Sequence, residues 1–277
     1  MKFLISADME GATGVTWPAD CEPGAPEWQR CRPMFTSDVN ATIAGLFDGG
    51  ATEVVVNEAH STMRNLLLEE LDERATMITG RHKELTMVEG IQQPDVDGVV
   101  FLGYHTAAGT EGVLAHTYLP NSITEVRVNG AQGSEGQLNA HVAAAYGVPI
   151  VLVTGDDKTC EDADRYAPRA QKVAVKDHIS RYTARCRPPG RTYADIRAGA
   201  QAAAAGGGRI DPVDAGPYVV EVEVDAAQLV TNATVIPTVE QIGDCRVQFT
   251  ATSAYEMIRC FKAVCTLISA GTERTYG

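Results

Sequence analysis

Apolar positions recur along the chain in two rhythms. Residues 2–7, 53–57, 98–104 and 149–153 are short apolar runs, and 53–57 is β-branched (Glu-Val-Val-Val-Asn). Runs of this length read as strands buried on both faces. Between them, Val39, Ile43, Leu46 and Phe47 fall at helical spacing, so 36–49 predicts a helix closed by Gly49-Gly50. Residues 134–146 predict a second helix, stopped by Gly147 ahead of Pro149. A short strand at 125–128 ends in the turn signal Asn129-Gly130; 172–175 reads as another, continued less regularly by 177–187. Buried strands alternating with helices predict an α/β fold, a mostly parallel sheet with helices on both faces.

The pattern changes after Arg-Pro-Pro-Gly-Arg-Thr at 187–192. An Ala-rich helix is expected at 194–205, ended by glycines at 206–208. Residues 218–224 (Tyr-Val-Val-Glu-Val-Glu-Val) alternate as a half-exposed antiparallel strand does. A short helix at 225–230, a strand at 246–250 and an amphipathic helix at 253–267 follow, the last with Met257, Phe261, Val264 and Cys265 on one side. The expected division is therefore an α/β metal-binding catalytic domain at 1–187 and a smaller C-terminal α+β domain at 188–277. Residues 16–33, rich in Pro and Trp, read as a loop suited to a lid or an oligomer contact.

Charge narrows the partners. Lys and Arg total 23 against 36 Asp and Glu, a formal charge of −13. That balance argues against nucleic acid, whose binders present a basic surface. It suits a site that concentrates cations. No apolar run approaches the roughly 20 residues that span a bilayer, so no membrane partner is expected. Asp8 and Glu10 interrupt the apolar opening too soon for a signal peptide. Seven cysteines, an odd number without C-x-x-C spacing, predict reduced thiols in the cytoplasm, with Cys21 and Cys31 idle.

In an open parallel sheet, ligands sit outside the carboxyl ends of the strands. Asp8 and Glu10, His60, His105, and Asp156 and Asp157 occupy those ends. The Asp8-x-Glu10 spacing turns both carboxylates to one face, where they repel unless a cation lies between them. Histidine supplies neutral nitrogen ligands suited to zinc. Glu135 follows the turn at 130–133 and begins a helix that faces the same crevice. These donors exceed the needs of one tetrahedral ion, which points to two metals sharing a carboxylate. Each residue has a plainer reading: a cap for Asp8, a surface loop for His60, a hydrogen-bonded core histidine for His105. His116 reads as a ligand, a catalytic acid/base or an ordinary loop residue. His141 reads as a half-buried helix residue, His82 as a solvated turn, and His178 has no assigned role. No G-x-S-x-G elbow or phosphate-binding P-loop is present.

The strings SADMEGATGV, EVVVNEAHSTMRNL, TMVEG, VVFLGYHTAAGTEGVLAHT and VNGAQGSEGQLNAHVAAAYGVPIVLVTGDD, with KVAVKDHISR and VQFTATSAYEMIRC, resemble the D-aminopeptidase family of zinc peptidases, of the bacterial dipeptide-operon type. The resemblance implies a two-zinc site at Asp8, Glu10, His60, His105 and Glu135, a catalytic histidine at His116, and a ring-like homodecamer enclosing its active sites. It departs in two places: Asn-Glu-Ala-His at 57–60 stands where the family pattern has Asn-Asp-Ser-His, and the 16–33 segment is individual. The expected function is a metal-dependent aminopeptidase or amidohydrolase that cleaves short peptides, with D-amino acids at their N-termini. The alternatives are a metallophosphoesterase and a non-catalytic metal- or peptide-binding protein.

Overall fold

The computed structural model describes residues 1–206 and 216–273. Its strands are β1 (Lys2–Ala7), β2 (Glu53–Glu58), β3 (Ala75–Ile78), β4 (Val96–Leu102), β5 (Ile123–Val128), β6 (Ala131–Gln132), β7 (Ile150–Asp156), β8 (Gln171–Ser180), β9 (Thr183–Cys186), β10 (Tyr218–Val224), β11 (Val239–Gly243) and β12 (Arg246–Ala251). Its helices are α1 (Pro18–Cys21), α2 (Pro26–Asp48), α3 (Glu135–Ala145), α4 (Asp157–Tyr166), α5 (Pro189–Gly206), α6 (Ala227–Ala233) and α7 (Ala254–Ser269).

The first sheet has the order β3-β2-β1-β4-β7-β8-β9. Every pairing in it is parallel except the last, β8 with β9. The chain moves outward from β1 in both directions, to β2 and β3 on one side and to β4 and β7 on the other. β1 is thus the point where strand order reverses, and a ligand crevice opens beyond it. Alternation along β1 feeds two cores. Phe3 and Ile5 meet Val39, Ile43 and Leu46 of α2 and Ala200 and Ala203 of α5. Leu4, with Val55, Val99 and Phe101, faces Leu138 of α3 and Ala163 and Tyr166 of α4. Helices cover both faces, as the buried apolar runs require.

The second sheet, β11-β12-β10-β5-β6, is antiparallel throughout. Val126, Val220, Val222 and Phe249 pack with Met257, Phe261 and Val264 of α7, continuous with the core under α3. The boundary expected at 187/188 does not coincide with the boundary between sheets. β5 and β6 come from the first half of the chain, and α5, from the second half, lies on α2 and the first sheet. The glycine stop expected at 206–208 falls at the end of α5, with residues 207 and 208 outside the described residues.

Several elements differ from expectation. Residues 16–33 are largely helical: α1, and the opening turns of α2 with Pro26 at its start and Pro33 inside. Pro33 gives up one helical N–H, but Trp28, Cys31, Phe35 and Val39 form a continuous buried stripe that outweighs the loss. Trp28 is therefore core, while Trp17 is 54% exposed. α4 carries little sequence signal, because a single narrow stripe of Thr159, Ala163 and Tyr166 is buried in an otherwise charged segment. The short strands β3, β6 and β11 carry too little apolar pattern to be seen in the sequence.

Two glycines let the loops after β1 and β4 touch. The Gly11 N–H donates to the Gly103 carbonyl at 2.7 Å, and the Asp8 N–H to the Leu102 carbonyl at 2.8 Å. A Cβ on Gly103 (φ +68°) would drive into the Asp8 carbonyl, and one on Gly11 into the backbone of Gly103 and Tyr104. Gly147 (φ +72°) has the same handedness with nothing within 4 Å of a Cβ. Gly147→Ala should therefore cost only the left-handed penalty, about 1–2 kcal/mol. Gly103→Ala should cost about 2–5 kcal/mol, since steric strain adds to it. Urea midpoints of the two variants measure the difference, and equal losses would mean the loops part without cost.

Candidate metal centre

Beyond the carboxyl ends of β1, β2 and β4, six buried side chains converge: Asp8, Glu10, His60, His105, His116 and Glu135. His60 Nδ1 lies 3.4 Å from Asp8 Oδ1 and 3.0 Å from Glu10 Oε2. His105 Nε2 lies 3.5 Å from Asp8 Oδ2 and 3.4 Å from Glu135 Oε2. His116 Nε2 is 3.7 Å from Glu10 and 3.9 Å from Glu135, and its ring stacks on His105 with centroids 4.1 Å apart. Asp8 stands between the two halves, touching both His60 and His105.

Each histidine is aimed by its other nitrogen. His60 Nε2 donates to the Cys21 carbonyl (2.8 Å), His105 Nδ1 to the Thr106 carbonyl (3.0 Å) and His116 Nδ1 to the Leu114 carbonyl (2.8 Å). A carbonyl can only accept, so these bonds fix the tautomers. The remaining nitrogens, Nδ1 of His60 and Nε2 of His105 and His116, face the carboxylates. A backbone carbonyl holding the far side of a histidine is the usual support of a metal ligand.

The carrying loops are braced from several elements. After β2, the Glu58 carboxylate accepts the N–H groups of Asn65 (2.7 Å) and Leu66. The Asn65 side chain donates to the His60 carbonyl at 2.8 Å and accepts from Trp28 Nε1 at 3.1 Å, so the start of α2 steadies the His60 loop. Glu135 heads α3, where the helix dipole favours a carboxylate, and takes the Tyr118 N–H at 2.8 Å. Asp156 accepts from Val113 (2.6 Å) and Thr159 (2.7 Å), tying the His116 loop to α4. The backbone is left-handed at Ser61, Met63, Leu114 and Tyr118, beside His60 and His116, and such strain collects at functional sites.

Burial sets the electrostatics. It pushes the Asp8 carboxyl up to about 7, helped by neighbouring Glu10. Burial acts upward on Glu10 and Glu135 too, but His60 outweighs it for Glu10, held well below the usual range, and His105 for Glu135, also lowered. Burial would lower both of those histidines. Glu10 instead carries His60 well above its ordinary value, and Glu135 takes His105 up to about 10. His116 moves the other way, lowered by burial and then by His105.

Protons are one way for such a cluster to balance its charge; a pair of divalent cations is the other. Asp8 Oδ2, Glu10 Oε2 and His105 Nε2 are buried without a hydrogen-bond partner. Buried polar atoms are ordinarily satisfied by hydrogen bonds, whereas these three make only ion-pair contacts at 3.0–3.5 Å. Among the described residues, three donor sets have their atoms within 4.8 Å of one another: Asp8-His105-Glu135, Glu10-His105-His116 and Glu10-Cys21-His60. Mixed nitrogen and carboxylate donors in this arrangement fit zinc or a similar ion.

All six expected site residues thus share one crevice. Asp156 and Asp157 do not join them: Asp156 caps α4, and Asp157 accepts the His178 N–H at 2.5 Å. His82 is exposed and His178 half-buried. His141 is buried, edge to face with Tyr218. Cys21, read as idle, places its carbonyl on His60 and its thiol beside Glu10 and His60. Nothing in its spacing announces this, because the contact is made across α1.

A family model described as D-aminopeptidase matches residues 1–263. The chain is 38% identical over 191 residues to the D-aminopeptidase of Bacillus subtilis (strain 168), covering 69% of each protein. It also superimposes with a TM-score of 0.92 and 31% identity on the solved Zn-dependent D-aminopeptidase DppA from Bacillus subtilis, described as a self-compartmentalizing protease, covering 99% of this chain and 100% of that one. The matched span takes in both sheets and every loop that carries the buried cluster, and the chain belongs to the D-aminopeptidase family.

Proposed function

We propose that this protein is a zinc-dependent aminopeptidase that removes D-amino acids from the N-termini of short peptides. Asp8, Glu10, His60, His105 and Glu135 would hold two zinc ions, and His116 is the acid/base residue. The observation that carries this reading is the orientation of the three histidines, each tied to a carbonyl on one side and turned to buried carboxylates on the other. Bound there, zinc supplies Lewis acidity to the scissile carbonyl and brings the pKa of the attacking water down to about 7.

The remaining work falls to the chain. Burial lowers the His116 imidazole below the ordinary histidine range, which favours a neutral Nε2. That nitrogen accepts the proton of the attacking water and returns it to the leaving amine. The bond from Nδ1 to Leu114 holds the ring in place throughout. Phosphate would need free cationic donors, but the buried ammonium of Lys83 is committed to Asn57, Glu58 and Ile78, and Arg64 is exposed. These facts favour a peptidase over a metallophosphoesterase.

We assign the protein to a homo-oligomer, a homodecamer, that encloses its sites. Trp17 and Tyr182, exposed and in edge-to-face contact at 5.1 Å, provide apolar surface together with exposed Ile179. A cytoplasmic location accords with seven free cysteines. No helix among the described residues is long and apolar enough to cross a membrane.

Zinc-loaded protein should hydrolyse dipeptides with an N-terminal D-residue in preference to L-dipeptides and p-nitrophenyl phosphate, and a chelator should abolish the activity until zinc is restored. Turnover of the phosphate ester alone would establish the phosphoesterase, and no turnover with zinc bound would leave a binding protein. His116→Ala should keep its zinc by elemental analysis yet lose about a hundredfold or more in kcat. Loss of an ion in that variant would make His116 a ligand instead. Zinc must also displace the protons that Asp8 holds up to about 7 and His105 up to about 10. Zinc affinity should therefore rise with pH. Proton release per chain, measured by calorimetry in buffers of different ionisation enthalpy, should be larger at about pH 6 than at about pH 8, because Asp8 contributes only at the lower value. Equal release at both would remove Asp8 from the ligand set.

A further inference from the structure

Lys176 sits on β8 with its side chain fully buried. Its Nζ donates to three main-chain carbonyls, those of Glu10 (2.6 Å), Ala12 (3.0 Å) and Val15 (2.5 Å). All three belong to the loop after β1, and none is a carboxylate. Burying an ammonium costs several kcal/mol, which three charge-assisted hydrogen bonds partly offset. The same loop is tied from α2, where Asp38 accepts the Thr13 N–H and hydroxyl, both at 2.8 Å. The loop is therefore already held at Thr13. What Lys176 adds is a fixed positive charge on the carbonyl of Glu10 itself.

The other members of the cluster are held without it. Asp8 is fixed by β4 through the Leu102 carbonyl, His105 by Thr106, and Glu135 by α3 and Tyr118. Among these residues Lys176 reaches only Glu10, whose carbonyl it binds while Gly103 accepts the Gly11 N–H of the same peptide. We propose that Lys176 is a positioning residue for one half of the metal centre, setting the backbone of Glu10 so that its carboxylate meets His60. The half formed by Asp8, His105 and Glu135 does not depend on it. This inference rests on the two-ion reading.

Zinc competition with a chromophoric chelator tests it in two backgrounds. His105→Ala leaves the half-site of Glu10 and His60, and His60→Ala leaves that of Asp8, His105 and Glu135. Adding Lys176→Met should weaken zinc about 10–100-fold in the first background, the usual effect of losing an outer partner, and leave the second unchanged. Lys176→Arg, which keeps the charge, should recover part of the lost affinity. If Lys176→Met does not hold its circular dichroism spectrum, Lys176→Arg carries the comparison, with weakening again confined to the first background. Equal weakening in both backgrounds, weakening in neither, or failure of both variants to fold would overturn the inference and leave Lys176 a loop anchor. A parent protein that binds one zinc ion or none would reject the two-ion reading itself, and the inference with it.

Discussion

Three carboxylates share a crevice from which water is nearly excluded, and the protein is organised around that cost. An isolated buried carboxylate either takes up a proton or finds a positive partner. Asp8 is pushed towards the first course, and Glu10 and Glu135 take the second through His60 and His105. A closed structural salt-bridge network would leave its atoms satisfied. Here three buried polar atoms, 3.0–3.5 Å from their ion-pair partners, make no hydrogen bond. That residue of unspent bonding capacity separates a cation site from a merely stabilising cluster.

Holding such a cluster requires a backbone that cannot relax away from it. The loops after β1 and β4 touch through Gly11 and Gly103, where a side chain would part them. The His60 loop is fastened by Glu58 and by Asn65, which in turn leans on Trp28 of α2. The His116 loop hangs on Asp156, and the Glu10 loop on Asp38 and Lys176. Polar side chains thus hold main-chain groups, and main-chain carbonyls hold the histidines. This indirect support fixes orientation while leaving the metal-facing atoms free, as preorganised sites require.

The two departures from the family pattern fall on this support. Glu58 does not face the cluster: its carboxylate is used on the N–H groups of Asn65 and Leu66. The individual segment at 16–33 supplies the Cys21 carbonyl behind His60 and the Trp28 indole behind Asn65. Both changes therefore act on how His60 is presented, while the donor atoms themselves are the ones the resemblance implies. Trp17, packed on Tyr182 of the β8–β9 hairpin, is the exposed aromatic residue of the segment.

By itself, the sequence determined the parallel sheet, the identity of the strand ends and the donor residues standing there. Apolar runs and turn signals are local, and the crevice of an open sheet follows from strand direction alone. It also carried the alternation of β10, since a half-exposed strand shows its period directly. Tertiary structure alone decided the rest. Membership of β5 in the second sheet depends on pairing with β10, nearly a hundred residues away in the chain. The helical state of 16–33 depends on burial of Trp28, Cys31 and Phe35, which outweighs the cost of Pro33. The roles of Lys176, Asp38, Asp156 and Cys21 rest on contacts across the fold, and no spacing rule encodes which carbonyl or N–H a buried side chain will meet. Donor identity is a property of the chain; donor orientation belongs to the packed molecule, because each histidine is aimed by a carbonyl fixed only when the loops close around it.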